Sequence, residues 1–96
     1  MEAQELSPRA AALVDAFAAH LRLERGLSEH TVRAYTGDLV NLFGHLARVG
    51  EGDPADVTLG DLRTWLANQY AAGADRATLQ RRAAGARTFF AWAART

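Results

Sequence analysis

Four helix-capping signals, three of them followed at helical distance by a glycine, divide this 96-residue chain before any other property is weighed. Ser7 precedes Pro8, Ser28 follows Leu27, Thr58 has Asp61 three positions on, and Asp75 opens the last segment. A Ser, Thr or Asp oxygen in such a place takes up a backbone N–H that the first helical turn leaves without a partner, and a proline at the first helical position has no N–H to lose. Gly26, Gly50 and Gly73 stand where a helix ends on a left-handed residue. The punctuation predicts helices from Ser7-Pro8 to about Arg25, from Ser28 to Gly50, from Thr58 to Gly73, and from Asp75 through Trp92. Residues 51–57, EGDPADV, form the one stretch that reads as a loop of appreciable length, a connection and not a domain boundary.

The apolar residues keep the helical period inside these limits. Ala10, Leu13, Val14, Phe17, Ala18 and Leu21 form one stripe, and Val32, Tyr35, Leu39, Leu42, Phe43, Leu46 and Val49 a longer one. Leu62, Trp65, Leu66 and Tyr70 are expected to point inward from the third helix. Arg33, Gly37, Asn41, Gly44 and Arg48 make the other side of the second, where Gly37 and Gly44 suit close approach of a neighbouring helix. Leu27 over Val32, and Val57 over Leu62, are positioned as staples that fix how the chain enters each helix. With strand formers sparse and proline confined to positions 8 and 54, the class is all-α. A single domain spans 1–96, long enough to bury roughly 60–65% of the surface of its unfolded chain. Short connections predict a compact bundle or an orthogonal pair of hairpins.

Several functions are excluded by what the sequence lacks. Without cysteine there is no disulfide framework and no thiolate metal site. His20, His30 and His45 have no carboxylate or i+4 partner suited to zinc, so neither a metal nor another cofactor is expected. No apolar run approaches the ~20 residues of a membrane span, and MEAQELSPRA is acidic and polar, unlike a signal peptide. A soluble, cytoplasmic chain with no membrane partner is the expectation.

Formal neutrality hides a strong asymmetry. From Arg76 onward there are five arginines and no acid, whereas residues 1–75 hold six arginines and eleven acids. At 100° per residue, Leu79, Ala83, Ala86, Phe90 and Ala93 share one side of the last helix, and Gln80, Arg81, Ala84, Arg87 and Thr88 share the other. The first is expected to pack and the second to bind. Ala84, Gly85 and Ala91 separate the long donors, so a groove wall can come close. Gly85 costs about 1 kcal/mol relative to alanine in a helix. Close approach of DNA, or the ring of Trp92, offers an offset.

The second and fourth helices also open alike: Ser28-Glu-His-Thr31-Val-Arg33 matches Asp75-Arg-Ala-Thr78-Leu-Gln80 as cap-x-x-Thr-aliphatic-polar. In both, a Thr hydroxyl sits at the third helical position beside N–H groups with no helical partner, which together accept a phosphate. Good helix initiation alone also accounts for the pattern.

LSEHTVRAYTGDLVNLF (27–43) and ATLQRRAAGARTFFAWA (77–93) resemble the N-terminal core-binding domain of tyrosine site-specific recombinases, most closely the chromosomal Xer type. The resemblance runs from Phe17 to Trp92. It rests on Ser28, Thr31, Tyr35, Asp38, Leu39 and Phe43 and on the spacing of Arg81 to Arg87. It implies a compact four-helix orthogonal bundle, a SAM-like core-binding domain, that clamps one face of double-stranded DNA with its second and fourth helices. The implied DNA-binding residues are Thr31, Arg33, Thr78, Gln80, Arg81 and Arg87. Most would contact phosphates, with Gln80 and Arg81 the candidates for base edges. Ala84-Gly85, in place of a larger pair, and Ala77, where a basic residue is common, imply a modest affinity for the isolated domain.

In that family the nucleophilic tyrosine and its arginines, lysine and histidines belong to a separate C-terminal catalytic domain, absent from residues 1–96. The expectation is therefore no catalytic residue and no enzymatic activity here. His30-Thr-Val-Arg33 mimics a His-x-x-Arg motif but has no partners. The implied role is positioning of the recombination site, in chromosome dimer resolution at cell division and with a related partner recombinase, the domain itself being a monomer. A phage or transposon integrase arm is the alternative within the family. Outside it stand a helical protein-interaction module docking through Phe89, Trp92 and the small-residue face, and a helix-turn-helix regulator, which the long fourth helix disfavours.

Overall fold

Each capping signal acts where the spacing places it. The computed structural model describes residues 6–50 and 53–95, with helices α1 (Pro8–Leu23), α2 (Glu29–Arg48), α3 (Leu59–Ala71) and α4 (Arg76–Arg95). Residues 1–5, on which the expectation of no leader peptide partly rests, and Glu51 and Gly52 of the predicted loop lie outside the described residues. Ser7 Oγ accepts from the Ala10 N–H at 3.1 Å, Ser28 Oγ from Thr31 at 3.2 Å, and Asp75 Oδ1 from Thr78 at 2.8 Å. Thr58 and Asp61 close a reciprocal capping box, at 3.1 and 2.9 Å. Gly26, Gly50 and Gly73 adopt φ of +65°, +89° and +101°, the left-handed region that side chains resist. The remainder of the loop contains a short 3-10 turn, Pro54–Asp56, that buries Pro54.

The core is aromatic where α1, α2 and α4 meet. Phe89, wholly buried, takes the edges of Phe17, Phe43 and Phe90 at ring-centre distances of 5.3, 5.7 and 4.9 Å, the edge-to-face geometry that aromatic quadrupoles favour. Trp65 is the buried anchor of α3, and its indole N–H donates to Asn41 Oδ1 of α2 at 2.8 Å.

α2 and α4 cross steeply. Gly85 meets Tyr35, Arg81 and Arg82 meet Asp38, and Phe89 and Phe90 meet Phe43. Followed along α2, these partners neither climb nor descend α4 in order, as they would for helices lying side by side. This is the orthogonal arrangement, and Gly85 sits at the close approach. A Cβ there would lie 3.0 Å from Tyr35 Cδ1. The glycine thus makes room for a tyrosine ring, not for DNA or Trp92. Gly85→Val is expected to force the helices apart and cost about 2 kcal/mol or more, read as a fall in the urea midpoint.

Five expectations are corrected. The buried side of α4 is Gly85, Ala86, Phe89 and Trp92, turned by roughly a quarter of the helix from the stripe through Leu79, Ala83 and Ala93. Rings bury more apolar area than alanines, so Phe89 and Trp92 decide the facing. Tyr70 is 72% exposed, whereas Asn68 and Gln69 are the residues of the last turn of α3 that meet α2 and α4. Val49 is 56% exposed; as the C-cap residue of α2, with φ −97° and ψ 10°, it has left the helical stripe. Gly44 is buried, whereas a Cβ at Gly37 would meet nothing within 4 Å, so only the former has a packing reason. α1 also ends at Leu23, two residues short of the predicted Arg25.

Candidate nucleic-acid interface

The two matching helix starts differ once their atoms are placed. At α2 the cap is a neutral hydroxyl, and Ser28 Oγ also donates to Thr31 Oγ1 at 3.1 Å, leaving Thr31 its own proton to give. At α4 the cap is a carboxylate. Hydrogen bonds from the Thr78 backbone and side chain hold Asp75 below the usual carboxylate range, with nearby Arg81 assisting. An anion therefore already sits on the first donors of α4. The start of α2 has a neutral cap, the charge of Glu29 in its first turn being paired to Arg22, whereas a phosphate at the start of α4 competes with the Asp75 cap.

A buried ion cluster joins the two helices. Asp38 faces α4 with a side chain only 6% exposed. Arg81 grips it side-on, Nε to Oδ2 and Nη2 to Oδ1, both at 2.8 Å. Arg82 Nε adds a third bond to Oδ1 at 3.1 Å, while its Nη1 donates to Gln69 Oε1 of α3. One carboxylate thus ties three helices through two arginines. Beside Asp38 the Arg81 guanidinium is held above its ordinary value. A carboxylate so buried requires such partners, since an unpaired charge in a low-dielectric interior costs several kcal/mol. Asp38, Arg82 and Gln69 carry this arrangement and were not among the expected site residues. One signal was present: Asp38 interrupts the apolar stripe between Tyr35 and Leu42, and Arg81-Arg82 is the only adjacent arginine pair in the chain.

Helical geometry sorts the six expected residues. Thr31 lies within roughly 20° of Asp38 around α2, on the side that meets α4, and about 10 Å nearer the helix start. Arg81 and Thr88 form the flank of α4 turned toward α2. Gln80 and Arg87 are exposed on the flank roughly 100° away, where Arg87 lines a shallow groove with Leu59, Leu62 and Trp65 of α3. Ala84 and Ala91 lie between these flanks. Thr78 is half-buried in the first turn. Arg33 is exposed roughly 160° around α2 from Thr31, and the fold does not bring it to the crossing. Phe89 and Trp92 are in the core, so the helix-docking alternative loses the side chains it relied on.

α3 is held to α2 by polar contacts on the same side of the bundle. Besides Trp65 and Asn41, His45 Nδ1 lies 3.4 Å from Asn68 Nδ2. Burial, aided by Arg48 and opposed by Asp61, holds the His45 imidazole below its ordinary value of 6.5. The unfolded chain therefore takes up this proton first as pH falls. Its contribution to stability is present above pH 6.5 and is lost as pH falls from there through the lower folded-state value. His45→Gln is expected to flatten that part of the pH dependence of the urea midpoint between neutrality and about pH 5.

Among the described residues no group of three or more His, Cys, Asp or Glu is placed to hold a metal ion. No helix among them is long and apolar enough to cross a membrane.

A family model described as the phage integrase N-terminal SAM-like domain matches residues 14–96. The tyrosine recombinase XerC of Mycobacterium sp. (strain JLS) is 50% identical over 84 residues, covering 86% of this chain and 28% of that protein. Tyrosine recombinase XerC of Mycobacterium leprae (strain TN) is 49% identical over 83 residues, 85% of this chain and 27% of the relative. That of Mycobacterium tuberculosis (strain ATCC 25177 / H37Ra) is 49% identical over 84 residues, with shares of 88% and 28%. The chain thus spans 28% or less of the length of these curated relatives. No solved structure matches it.

Proposed function

From the premise that the chain belongs to the phage integrase N-terminal SAM-like domain family, and is an N-terminal domain of the Xer-type tyrosine recombinases, we propose that it is the DNA-binding arm of its parent recombinase. It clamps one face of the recombination site while a separate catalytic domain exchanges the strands. The parent acts with a related partner recombinase in resolving chromosome dimers, and the isolated domain binds duplex DNA as a monomer without cutting it.

The crossing of α2 and α4 is the observation that carries this reading. It sets the open start of α2 beside a helix whose outward surface has small residues, Ala84 and Ala91, between two flanks of long donors. A helix entering a major groove needs that profile: a low crest that lets the backbone approach, and side chains on both sides that reach the walls. Thr31 and Arg81 serve one side, Gln80 and Arg87 the other, and Thr78 the helix end.

An NMR titration with a short duplex, at low and at physiological salt, tests the proposal through the amides of residues 28–37 and 76–88. Shifts confined to those segments and fading with salt are the expected result. Unmoved amides at low salt would sink it. Contacts to about five phosphates give a log–log salt slope near −4 to −5. Arg87→Ala is expected to weaken binding on every duplex alike and to make that slope shallower by about 1.

A further inference from the structure

We propose that Asp38 is a positioning residue for DNA binding: by holding the Nε/Nη2 edge of Arg81, it presents the opposite end of that guanidinium to the duplex as a fixed fork. This rests on the DNA-binding reading above. An arginine has five N–H donors, and the side-on grip of Asp38 uses two of them. The remaining three include the end-on pair shared by Nη1 and Nη2, and among the described residues Arg81 has no hydrogen-bond partner besides Asp38, Asp75 acting on it only through charge. The Arg81 side chain is 46% exposed while its anchor is 6% exposed, so the fork has a buried root and an open tip. Arg82 is the contrasting case. At 20% exposure, with both of its bonded nitrogens turned to Asp38 and Gln69, it is a strut between helices.

An unanchored arginine must give up much of its rotamer freedom to make a bidentate contact, and the Asp38 grip removes that freedom in advance. The end-on fork fits two acceptors side by side, either phosphate oxygens or the O6 and N7 edge of guanine.

The sign of the effect makes the test sharp. Asp38 is an acid, and neutralising an acid near a DNA-binding surface strengthens binding when charge alone matters. Asp38→Asn is instead expected to weaken binding to a short G·C-rich duplex roughly tenfold, although it adds a net positive charge. Arg81→Ala is expected to weaken it by a similar factor, and adding Asp38→Asn to Arg81→Ala to cause no further loss. Affinities are compared at a temperature where circular dichroism shows each variant folded. Arg81→Ala leaves Asp38 its bond to Arg82 and serves if Asp38→Asn does not fold.

Equal or tighter binding by Asp38→Asn overturns the proposal, as does undiminished binding by Arg81→Ala. A loss caused by Asp38→Asn that is just as large in the Arg81→Ala background overturns it too, because Asp38 then acts through the fold alone. If the unaltered chain does not bind the duplex, it is the DNA-binding reading that fails. A duplex carrying 7-deazaguanine separates the two acceptors: the Arg81 contribution disappears there if the fork reads guanine and persists if it grips phosphate.

Discussion

Replacing Arg81 and Arg82 together by methionine is expected to lower the unfolding free energy by about 3–5 kcal/mol, the cost of stripping a buried carboxylate of its partners. The asymmetry of burial sets the size. Asp38 is 6% exposed, so it cannot recover its hydration where it stands, whereas Arg81 at 46% is already half in water. Either single substitution leaves one arginine on the carboxylate and costs less than half as much. Adding Asp38→Leu to the double variant is expected to recover most of the loss, because the site then holds no charge and fills with apolar side chains. Urea denaturation of the parent and the four variants at neutral pH measures this. If the double variant unfolds within about 1 kcal/mol of the parent, Asp38 is hydrated and the cluster is no staple; for a domain of this size the expected loss corresponds to a melting temperature lower by about 4–8 °C per kcal/mol.

Phe89→Ala is expected to remove a further 3–5 kcal/mol, through lost transfer energy and the cavity left behind. The ring is fully buried and touches Phe17, Phe43, Phe90 and Trp92, so no single neighbour can move in to fill the space. Phe90, at the edge of a groove bounded by Arg9, Leu13 and Pro54, is the natural control, and Phe90→Ala should cost roughly half as much. Thermal unfolding followed in the near ultraviolet separates the two. Equal losses would mean that the core is not centred on Phe89. Against a total stability of about 5–15 kcal/mol, Phe89→Ala takes a large share, and the proposed DNA binding of this variant is best tested in the cold.

Those two substitutions act on features that were not equally legible in the amino-acid sequence. The helices were readable because their ends are local: a Ser28 or Asp75 oxygen reaches an N–H three residues away, and no distant part of the chain is needed to make it do so. The apolar stripes of α1 and α2 were readable for the same reason, since period alone reports which side is buried when one side is clearly apolar. α4 defeats that reasoning because its seven alanines spread over more than half of its circumference and blur the apolar side. Its rotation was settled by Phe89 and Trp92 finding Phe17 and Phe43.

The sequence by itself determined four helices, their caps and stops, the all-α class, the arginine-rich last helix and the residues that mark the family. Tertiary structure alone decided what the charges do. Asp38 and Arg81 are 43 positions apart, and only the steep crossing of α2 over α4 brings them together. That crossing turns an acid in an apolar stripe into an anchor, and one of five arginines into a fork. It also leaves Arg33 on another face and reserves Gly85 for a tyrosine ring. Capping is a matter of neighbours along the chain, whereas charge pairing depends on burial and on distances across the fold, which no local pattern of residues records.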